Sequence, residues 1–444
     1  MRLRLVVIAT FGCIVHASSA TAGNDDEMLV GNRASMTAGA VSATVTDASS
    51  IWYNPAGLGG DPRDQIDVSA SAYSLRFFSA PRLLSTTSGA AQDGAVTEFI
   101  SVPTQIAYVR RVAPGWSLGL GYFAPHMSNF VLREGLTEKT GTGGSDWQVA
   151  ATVADTQHIA ATALGGTLAP GVRLGMSLIG GYAATTQSVA LFGAIEGDGQ
   201  TEIVRSGTTF ATQTYLSLES GLGLQIDVTP ELTWGVSFRT PRMLIYRDTD
   251  LTLQESSASG GSTPSVFAHT DRPRQVGAKL DFLRAGRAGF ALAYHLGRGW
   301  VAGEFDVQPA IRRPDVDVDR KAVANARLGI YQPILPSIAL GAGLFTDRSP
   351  DAVGWSLLSG GGDFYGGTVG VEISNEHQLA PSEAVSSLTF STVFALRYAF
   401  SNSDFGRAVG NPDTITAAGG PLQTAHGTLR IHEVALYVGS GLHF

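Results

Sequence analysis

Cysteine and charge are both scarce in this chain of 444 residues. The one cysteine, Cys13, lies in a segment interpreted below as a signal peptide, so a disulfide scaffold, thiolate chemistry and a Cys-ligated metal are excluded. Charged residues make up only 15% of the chain, less than the roughly 25% of an ordinary soluble domain. Without Arg2 and Arg4, which belong to the same segment, 28 Lys and Arg stand against 38 Asp and Glu, a net charge of −10. This balance argues against a nucleic-acid partner, which needs a basic face.

The first residues have the pattern of a secretory leader. Arg2 and Arg4 precede the apolar stretch Leu5–Val15, which is too short to span a bilayer as a helix, and Ala20-Thr21-Ala22 is a small-x-small cleavage site. This order predicts a signal peptide over residues 1–22. Lipoprotein cleavage before Cys13 is the alternative, but ATFGC lacks the usual leucine three residues before the cysteine.

Motifs for metal, nucleotide and nucleophilic chemistry are also missing. The nine histidines include no H-E-x-x-H and no pair spaced for zinc, and no P-loop or dinucleotide fingerprint occurs. The stretch GWSLG at 115–119 matches G-x-S-x-G, but a hydrolase elbow needs a strand before the serine and a helix after it. A turn precedes Ser117 and a strand pattern follows it. We therefore expect no enzyme, no cofactor and no metal.

Glycine, by contrast, is abundant at 54 residues, and apolar residues alternate along much of the chain. Leu174–Ile195 has 22 positions without a charge, which is long enough for a membrane helix. It is nevertheless rich in Ser, Thr, Gln and Gly, and Leu174, Met176 and Leu178 alternate with small or polar residues. A period of two indicates a β-strand with one apolar face.

The same alternation predicts fourteen strands, near 65–78, 97–111, 115–127, 149–168, 171–190, 209–228, 232–248, 274–296, 299–309, 322–332, 336–346, 363–374, 386–400 and 428–444. Short turns such as VAPGW and LAPGV alternate with long polar connections near 79–96, 128–148, 191–208, 249–273, 347–362 and 401–427. Short turns at one end and long loops at the other are typical of a transmembrane barrel. LRAGRAG within 274–296 admits a fifteenth strand, but the apolar parity continues through it and bacterial barrels have even strand numbers.

The predicted fold class is all-β: a 14-stranded antiparallel transmembrane β-barrel with an N-terminal plug, or hatch, inside the lumen. The predicted domains are the signal peptide at 1–22, the plug at 23–63 and the barrel at 64–444. Phe444, which follows alternate apolar residues, resembles the assembly signal of outer-membrane barrels. It predicts the bacterial outer membrane as the location and the barrel-assembly machinery as a partner of the C-terminal strand, with outer-membrane lipid around the barrel.

The plug prediction rests on small residues. Between Ala34 and Ser50, thirteen of seventeen residues are Ala, Gly, Ser or Thr, so the segment can fold tightly inside a barrel but cannot build its own core. Asn54-Pro55 is a turn signal, and an asparagine side chain can bond nearby backbone N–H groups. Asp47 needs a partner there, and Arg33 or a barrel arginine is expected to supply it. The residues expected to form the plug's turn and its anchors to the wall are Asp47, Trp52, Tyr53, Asn54, Pro55, Ala56 and Gly57.

The stretch GNRASMTAGAVSATVTDASSIWYNPAGLGG at 31–60 resembles the N-terminal hatch of the FadL/TodX family of outer-membrane transporters for long-chain fatty acids and other hydrophobic compounds. Asp47-Ala48-Ser49 and Asn54-Pro55-Ala56-Gly57 match its pattern. Later stretches follow in the family's order: SLGLGYFAP (117–125), GLGLQIDVTPELTWGVSFRTP (221–241), GRGWVAGEFDVQ (297–308), ARLGIYQPILPSIALGAGLFTDRSP (326–350) and DFYGGTVGVEI (363–373). The start, GNDDEML at 23–29, is shorter and more acidic than in the family, so no N-terminal ligand residue is carried over.

The resemblance implies a hydrophobic tunnel and a lateral opening at a kink in the third strand, where substrate passes sideways into the membrane. The matching stretch FISVPTQIAYV (99–109) lies on the second predicted strand, and Pro103 cannot donate a ladder hydrogen bond. The expected lateral gate is therefore Ser101, Val102 and Pro103. Parity places eight charges in the lumen: Arg173, Lys279, Asp281, Glu304, Asp306, Arg327, Arg397 and Glu433. Either these charges pair with one another and the plug, or one arginine holds a substrate carboxylate.

Two functions stay open from the sequence. The first is passive uptake of a hydrophobic small molecule, such as a long-chain fatty acid, through a monomeric plugged barrel with lateral release. The second is a structural or adhesive barrel whose long loops bind partners. The loop at 129–148, NFVLREGLTEKTGTGGSDWQ, is expected to form no more than a short amphipathic helix.

Overall fold

The structure is a computed structural model. It describes residues 28–61, 63–86, 88–140, 143–196, 203–259, 265–277, 281–313, 318–350, 362–378, 387–410 and 422–444.

Fourteen strands form a closed antiparallel barrel. In chain order they are β1 (Gln65–Thr86), β2 (Ala91–Val102 and Gln105–Ala113), β3 (Trp116–Thr140), β4 (Gly143–Ala169), β5 (Val172–Glu196), β6 (Ile203–Thr229), β7 (Leu232–Arg239 and Arg242–Ser259), β8 (Ser265–Gly277, Asp281–Arg284 and Arg287–Leu296), β9 (Gly299–Gln308), β10 (Val323–Leu335), β11 (Ile338–Asp347), β12 (Phe364–Gln378), β13 (Ser387–Gly410) and β14 (Leu422–His443). The last strand pairs antiparallel with the first, beginning with Gln65 opposite His443, and this pairing closes the ring. The predicted strand number and the predicted all-β antiparallel barrel are confirmed.

The prediction of long polar connections is mostly wrong, because the strands continue through these segments. β3 and β4 stay paired up to Thr140 and Gly143, so the segment at 129–148 is a β-hairpin and not a helix. A bulge between Phe123 and His126 shifts the register of β3. Beyond it, apolar residues such as Phe130 are buried, whereas before it they face outward. This inversion of the apolar parity hid the continuing strand. A small separate hairpin, Ile311–Arg313 with Val318–Arg320, lies between β9 and β10.

The stretch LRAGRAG makes no fifteenth strand. Arg287 pairs with Arg239 of β7, and Asp281 pairs with Leu244 further along the same strand. β8 is therefore one strand, interrupted at 285–286, as the continuous apolar parity predicts. β7 is interrupted beside it at Thr240-Pro241, where the proline has no N–H to donate to the ladder.

One end of the barrel carries the short turns, the start of β1 and the end of β14. Gly115 and Gly171 occupy these turns with φ of 74° and 75°, a left-handed conformation that glycine adopts without a steric penalty. Asp64 and Phe444 exchange two backbone hydrogen bonds, of 3.0 and 2.9 Å, at the same end. We call this the short-turn end.

The outer face of the barrel is apolar. On β5, Leu174, Met176 and Leu178 are 42%, 57% and 48% exposed, whereas Ile179 on the opposite face is 2% exposed. A continuous apolar exterior is expected of a barrel whose strands face lipid.

Within the described part of the chain, no helix combines the length and the apolar character needed to cross a membrane.

Residues 28–60, the N-terminal segment, lie inside the barrel in the half nearest the short-turn end. They form two short helices, α1 (Asn32–Met36) and α2 (Ser50–Tyr53), and a 3-10 turn at Pro55–Gly59. Met36 and Ile51 are fully buried. Because the segment's own side chains are small, the barrel wall supplies most of the surface that buries it.

Candidate functional site

Glycines on the wall allow the N-terminal segment to approach the strands closely. A methyl group at Gly165 of β4 or Gly175 of β5 would overlap the carbonyl group of Pro55, and one at Gly223 of β6 would overlap the side-chain oxygen of Asn54. Three neighbouring strands thus have no side chain where the 3-10 turn rests on them. Part of the glycine excess of the sequence is explained by this contact.

Asn54 holds the turn and ties it to the wall. Its side-chain oxygen accepts a hydrogen bond from the N–H of Ala56 at 3.2 Å. Its side-chain nitrogen donates to the carbonyl oxygen of Ser42 at 2.8 Å and to those of Leu224 and Val236 at 3.2 and 3.4 Å. One amide therefore joins two parts of the segment to strands β6 and β7.

Substitution of Gly223 tests this close contact. We expect Gly223→Ala to destabilise the barrel by about 1–3 kcal/mol, because the new methyl group forces the turn off the wall. Gly303→Ala is the matched control, since a methyl group on Gly303 meets no atom within 4 Å. Unfolding in urea, followed by tryptophan fluorescence, measures both. Equal stability of the two variants would contradict the contact.

The prediction that an arginine pairs with Asp47 is wrong. Neither Arg33 nor a barrel arginine pairs with it among the described residues; its Oδ1 accepts hydrogen bonds from the backbone N–H and the hydroxyl of Ser49. Arg33 instead lies 3.7 Å from Glu372 of β12 and 5.1 Å from the ring centre of Tyr331. Local hydrogen bonding to Ser49 could have been anticipated, because Asp-x-Ser is a spacing at which an aspartate bonds nearby backbone.

Trp52 contacts the wall, and Tyr53 holds the segment together. The guanidinium of Arg239 lies 4.0 Å from the Trp52 ring centre and also donates to the Trp52 carbonyl oxygen. The Trp52 ring centre lies 5.5 Å from that of Phe123. The Tyr53 hydroxyl accepts a hydrogen bond from the N–H of Val30 at 3.2 Å.

Four side chains at the interruptions of β7 and β8 form a charge cluster, the Glu219 cluster. Glu219 of β6 lies 3.0 Å from Arg242, 3.0 Å from Arg284 and 3.4 Å from Arg239. Its side chain is 1% exposed. A single carboxylate therefore compensates three guanidinium groups at the point where two adjacent strands break.

The predicted lumen charges form further pairs. Arg327 lies 2.6 Å from Asp306 and 3.5 Å from Glu304, and Arg287 lies 3.0 Å from Asp306. Glu304 also accepts a hydrogen bond from the N–H of Ser42 at 3.1 Å. A cavity of about 40 Å³ separates these side chains from the N-terminal segment.

Two more predicted lumen charges lie elsewhere. Arg397 pairs with Glu433 near the middle of the wall, and Arg173 pairs with Asp227 at 2.7 Å near the short-turn end. Lys279 lies outside the described residues. Every predicted lumen charge whose side chain the structure describes has an oppositely charged partner, which accords with mutual pairing.

The wall is not continuously hydrogen-bonded between β2 and β3. Their ladder ends at the bond from the N–H of Ala124 to the carbonyl oxygen of Thr104, 3.1 Å long. Beyond it, Ala91–Val102 pairs with β1 and the rest of β3 pairs with β4; no backbone pairing between these two stretches is found among the described residues. The predicted gate residues Ser101, Val102 and Pro103 lie at the edge of this gap.

Side chains bridge the gap where the ladder is missing. Glu98 of β2 accepts hydrogen bonds from the hydroxyl of Ser128, at 2.9 Å, and from the N–H of Asn129. Glu134 of β3 accepts one from the N–H of Ala95 at 3.2 Å. Arg76 lies 3.5 Å from Glu98. The two strands are therefore held by a few polar contacts that can break without disrupting either hairpin.

A cluster at the short-turn end ties the N-terminal segment to the last strand. Arg63 donates to Asp61 at 2.8 Å, and His443 lies 3.4 Å from the same carboxylate. Burial works against ionisation of Asp61, but the hydrogen bonds from His443 and Arg63 outweigh it and hold its pKa well below the usual range.

This lowered pKa gives a pH-dependent prediction. Because the folded-state pKa lies below the unfolded value of about 3.9, the carboxylate stabilises the fold fully above the unfolded pKa; the stabilisation declines below that pH and is lost as the pH falls through the folded-state pKa. We expect Asp61→Asn to lower the melting temperature at pH 7, and its difference from the wild type to shrink steadily as the pH falls below about 4. Melting curves of both proteins across this range measure the difference. A pH-independent difference would contradict the assignment.

Sequence reasoning missed Glu98, Glu219 and the arginines around Glu219. Isolated acids in predicted strands show no motif, and their partners come from other strands. The break in β7 had a readable signal, since Pro241 follows Arg239-Thr240 within a predicted strand.

A closed, lipid-facing barrel with a buried N-terminal segment and an unpaired stretch in its wall belongs to the class of transmembrane β-barrels with an internal segment. The chain has the fold of the FadL-type channels. A FadL homologue from Pseudomonas aeruginosa superposes with a TM-score of 0.57 and 8% identity over 94% of this chain and 99% of the other. The toluene transporter TodX from P. putida superposes with a TM-score of 0.54 and 12% identity over 93% and 98%. The CymD monoaromatic hydrocarbon channel gives 0.53 and 11% over 94% and 97%. No family model and no curated protein sequence matches the chain.

Proposed function

We propose that this protein carries hydrophobic small molecules passively across the bacterial outer membrane. The observation that supports this most directly is the stretch of wall between β2 and β3 that lacks backbone pairing, next to a lumen filled by the N-terminal segment. A barrel that served only as a scaffold or adhesin would gain nothing from an interrupted ladder, because each missing bond weakens the wall.

In this proposal the N-terminal segment is the plug. Its contacts with the wall are many and individually weak: an amide of Asn54, the N–H of Ser42 and the ring of Trp52. An apolar cluster lies beyond it toward the long hairpins and includes Phe78, Phe130 and Trp147. An apolar molecule would partition into this cluster from outside and move on when the plug shifts.

The lateral gate is the gap beside Ser101, Val102 and Pro103. Opening requires the hydrogen bonds to Glu98 and Glu134 to break, while the hairpins of β1 with β2 and β3 with β4 stay intact. An apolar substrate that leaves through the wall enters lipid directly and never has to cross water.

Long-chain fatty acids are the substrate class we propose first. The cavity between plug and wall has Met28, Leu29 and Trp52 on one side and, on the other, Arg239, Arg287 and Arg327 together with Glu304 and Asp306. In this proposal the head of a fatty acid takes the place of one of the two acids as the partner of an arginine, and an aromatic hydrocarbon would need no arginine.

We also propose that the chain works as a monomer in the outer membrane after removal of residues 1–22. The barrel-assembly machinery would recognise the last strand through Phe444. The backbone bonds between Phe444 and Asp64 support a structural role for this end in closing the ring.

Uptake measurements test the proposed function. A deletion strain carrying the wild-type gene should accumulate radiolabelled oleate faster than the strain with an empty vector; toluene serves as the hydrocarbon comparison. Faster uptake of toluene alone would keep the channel and reject the fatty acid. Equal rates with and without the gene for every compound would reject transport and favour the adhesive barrel.

Pro103 gives a sharper test of the gate. Pro103→Ala supplies the N–H that proline lacks, on the strand edge that faces β1, and removes the irregularity beside the gap, so uptake is expected to fall several-fold while the melting temperature stays within a few degrees. A lower melting temperature with unchanged uptake would mean that Pro103 marks only a strand irregularity.

A further inference from the structure

The outer wall carries a deep apolar groove on the side away from the gap. It has a volume of about 630 Å³ and crosses strands β9 to β13. Small residues form its floor, Ala342 and Gly367, and large exposed residues flank it, among them Leu328, Leu344 and Leu396. Adjacent strands lie about 4.8 Å apart, so five strands give a length of about 19 Å.

One end of the groove is polar. Tyr398 of β13 lines the groove, and its hydroxyl lies 2.9 Å from Nδ1 of His432 on β14. Arg430 precedes His432 by two residues, so both side chains are on the outer face, and both are exposed. Among the described residues, Arg430 has no hydrogen bond and no ion pair. An unpaired guanidinium at the edge of a lipid-facing surface attracts an anion.

A second tyrosine–histidine pair on the outer face has no arginine beside it. Tyr122 and His158 lie 2.6 Å apart on β3 and β4, also on the outer face, as expected of the polar–aromatic belt of a barrel. No arginine precedes His158 on its strand by two residues, where Thr156 stands. Groove, histidine and unpaired arginine come together on β9–β14, and the second described tyrosine–histidine pair lacks the arginine.

We propose that this groove binds one anionic lipid, with an acyl chain along the floor at Ala342 and Gly367 and the phosphate on Arg430 and His432. Arg430 lies further from the short-turn end than His432, so the phosphate lies on the side of the groove toward the long hairpins. The site lies on the lipid side of the wall and is separate from the proposed substrate path.

The chemistry of the two ends explains why the occupant is a lipid and not a free ion or a second protein. The groove holds the acyl chain against fixed apolar side chains, in place of contacts with the disordered chains of the surrounding lipid. The guanidinium of Arg430 donates charge-assisted hydrogen bonds to the phosphate. The next acid toward the long hairpins, Asp404, is paired with His426 at 2.9 Å and leaves Arg430 available.

Native mass spectrometry of the full barrel in detergent tests the site. The probe is dipalmitoylphosphatidylglycerol, compared with dipalmitoylglycerol, which has the same chains without phosphate, and with inorganic phosphate alone. We expect a 1:1 adduct with the phospholipid only. Arg430→Gln should weaken it about tenfold, the effect of one charge-assisted hydrogen bond, and Ala342→Leu should abolish it by filling the floor.

Matched controls keep the test specific. Arg133→Gln removes an exposed arginine from β3, and Ala160→Leu enlarges an exposed alanine on β4; both should leave the adduct unchanged. The proposal is overturned if dipalmitoylglycerol binds as well as the phospholipid, or if Arg133→Gln loses as much binding as Arg430→Gln. It is also overturned if phosphate alone forms an adduct that depends on Arg430, or if no adduct forms at all. Uptake of oleate should be unaffected by Arg430→Gln, so failure of this site and failure of the transport proposal give different results.

Discussion

Joining β2 to β3 across the gap is expected to reduce oleate uptake about tenfold, because the proposed exit then cannot widen. Thr97 and Asn129 are exposed on the two sides of the gap, next to the contact between Glu98 and the N–H of Asn129. The variant Thr97→Cys with Asn129→Cys can be linked by a short bismaleimide on whole cells. The native Cys13 lies in the predicted signal peptide, so the reaction is confined to the introduced pair.

The control is the same chemistry on a continuous part of the wall. Thr152 and Ser188 are opposite each other in the ladder of β4 and β5, and linking cysteines there should leave uptake unchanged because those strands never separate. Each single-cysteine variant, treated with the reagent, corrects for bulk added at the surface. If linked Thr97–Asn129 protein transports oleate at the wild-type rate, substrate does not leave between β2 and β3.

Loss of the Glu219 carboxylate is expected to cause the largest change in stability. Glu219→Gln leaves Arg239, Arg242 and Arg284 close together without their shared counter-charge, and removing one partner of a buried ion pair typically costs about 3–5 kcal/mol. The side chain keeps its size, so lost packing contributes little. Urea unfolding of the purified barrel in lipid vesicles measures the change.

Glu134→Gln is the comparison for that experiment. Glu134 is only partly buried and accepts a single hydrogen bond, from the N–H of Ala95, so the expected change is below about 1 kcal/mol. A loss of the same size in both variants would mean that the three arginines around Glu219 do not depend on its charge.

The transmembrane strands were predictable because lipid on the outside imposes a simple rule. Each strand must show apolar side chains on one face, so Leu174, Met176 and Leu178 reveal both the strand and its orientation. This rule does not apply to the parts of the strands that extend beyond the membrane. Beyond the bulge at Phe123–His126 the apolar face turns inward, and polar residues on the outside made a continuing strand look like a loop.

The residues inside the barrel were less predictable. Small side chains between Ala34 and Ser50 indicated a tightly packed segment, and Asn54-Pro55 indicated its turn. The wall contacts of that turn depend on Gly165, Gly175 and Gly223, which are separated by many residues in sequence. The pairing of β4 with β5 and of β5 with β6 places them side by side.

The sequence by itself determined the strand number, the antiparallel order and the outward faces, because these follow from local alternation and turn chemistry. Only the tertiary structure decided which charges meet, where the ladder is absent and what lies behind the wall. Glu219 meets three arginines, and Glu98 replaces a missing ladder, through contacts between residues that become close only when neighbouring strands come together. Pairing energies of this kind depend on distance and burial, and neither is encoded within any single strand.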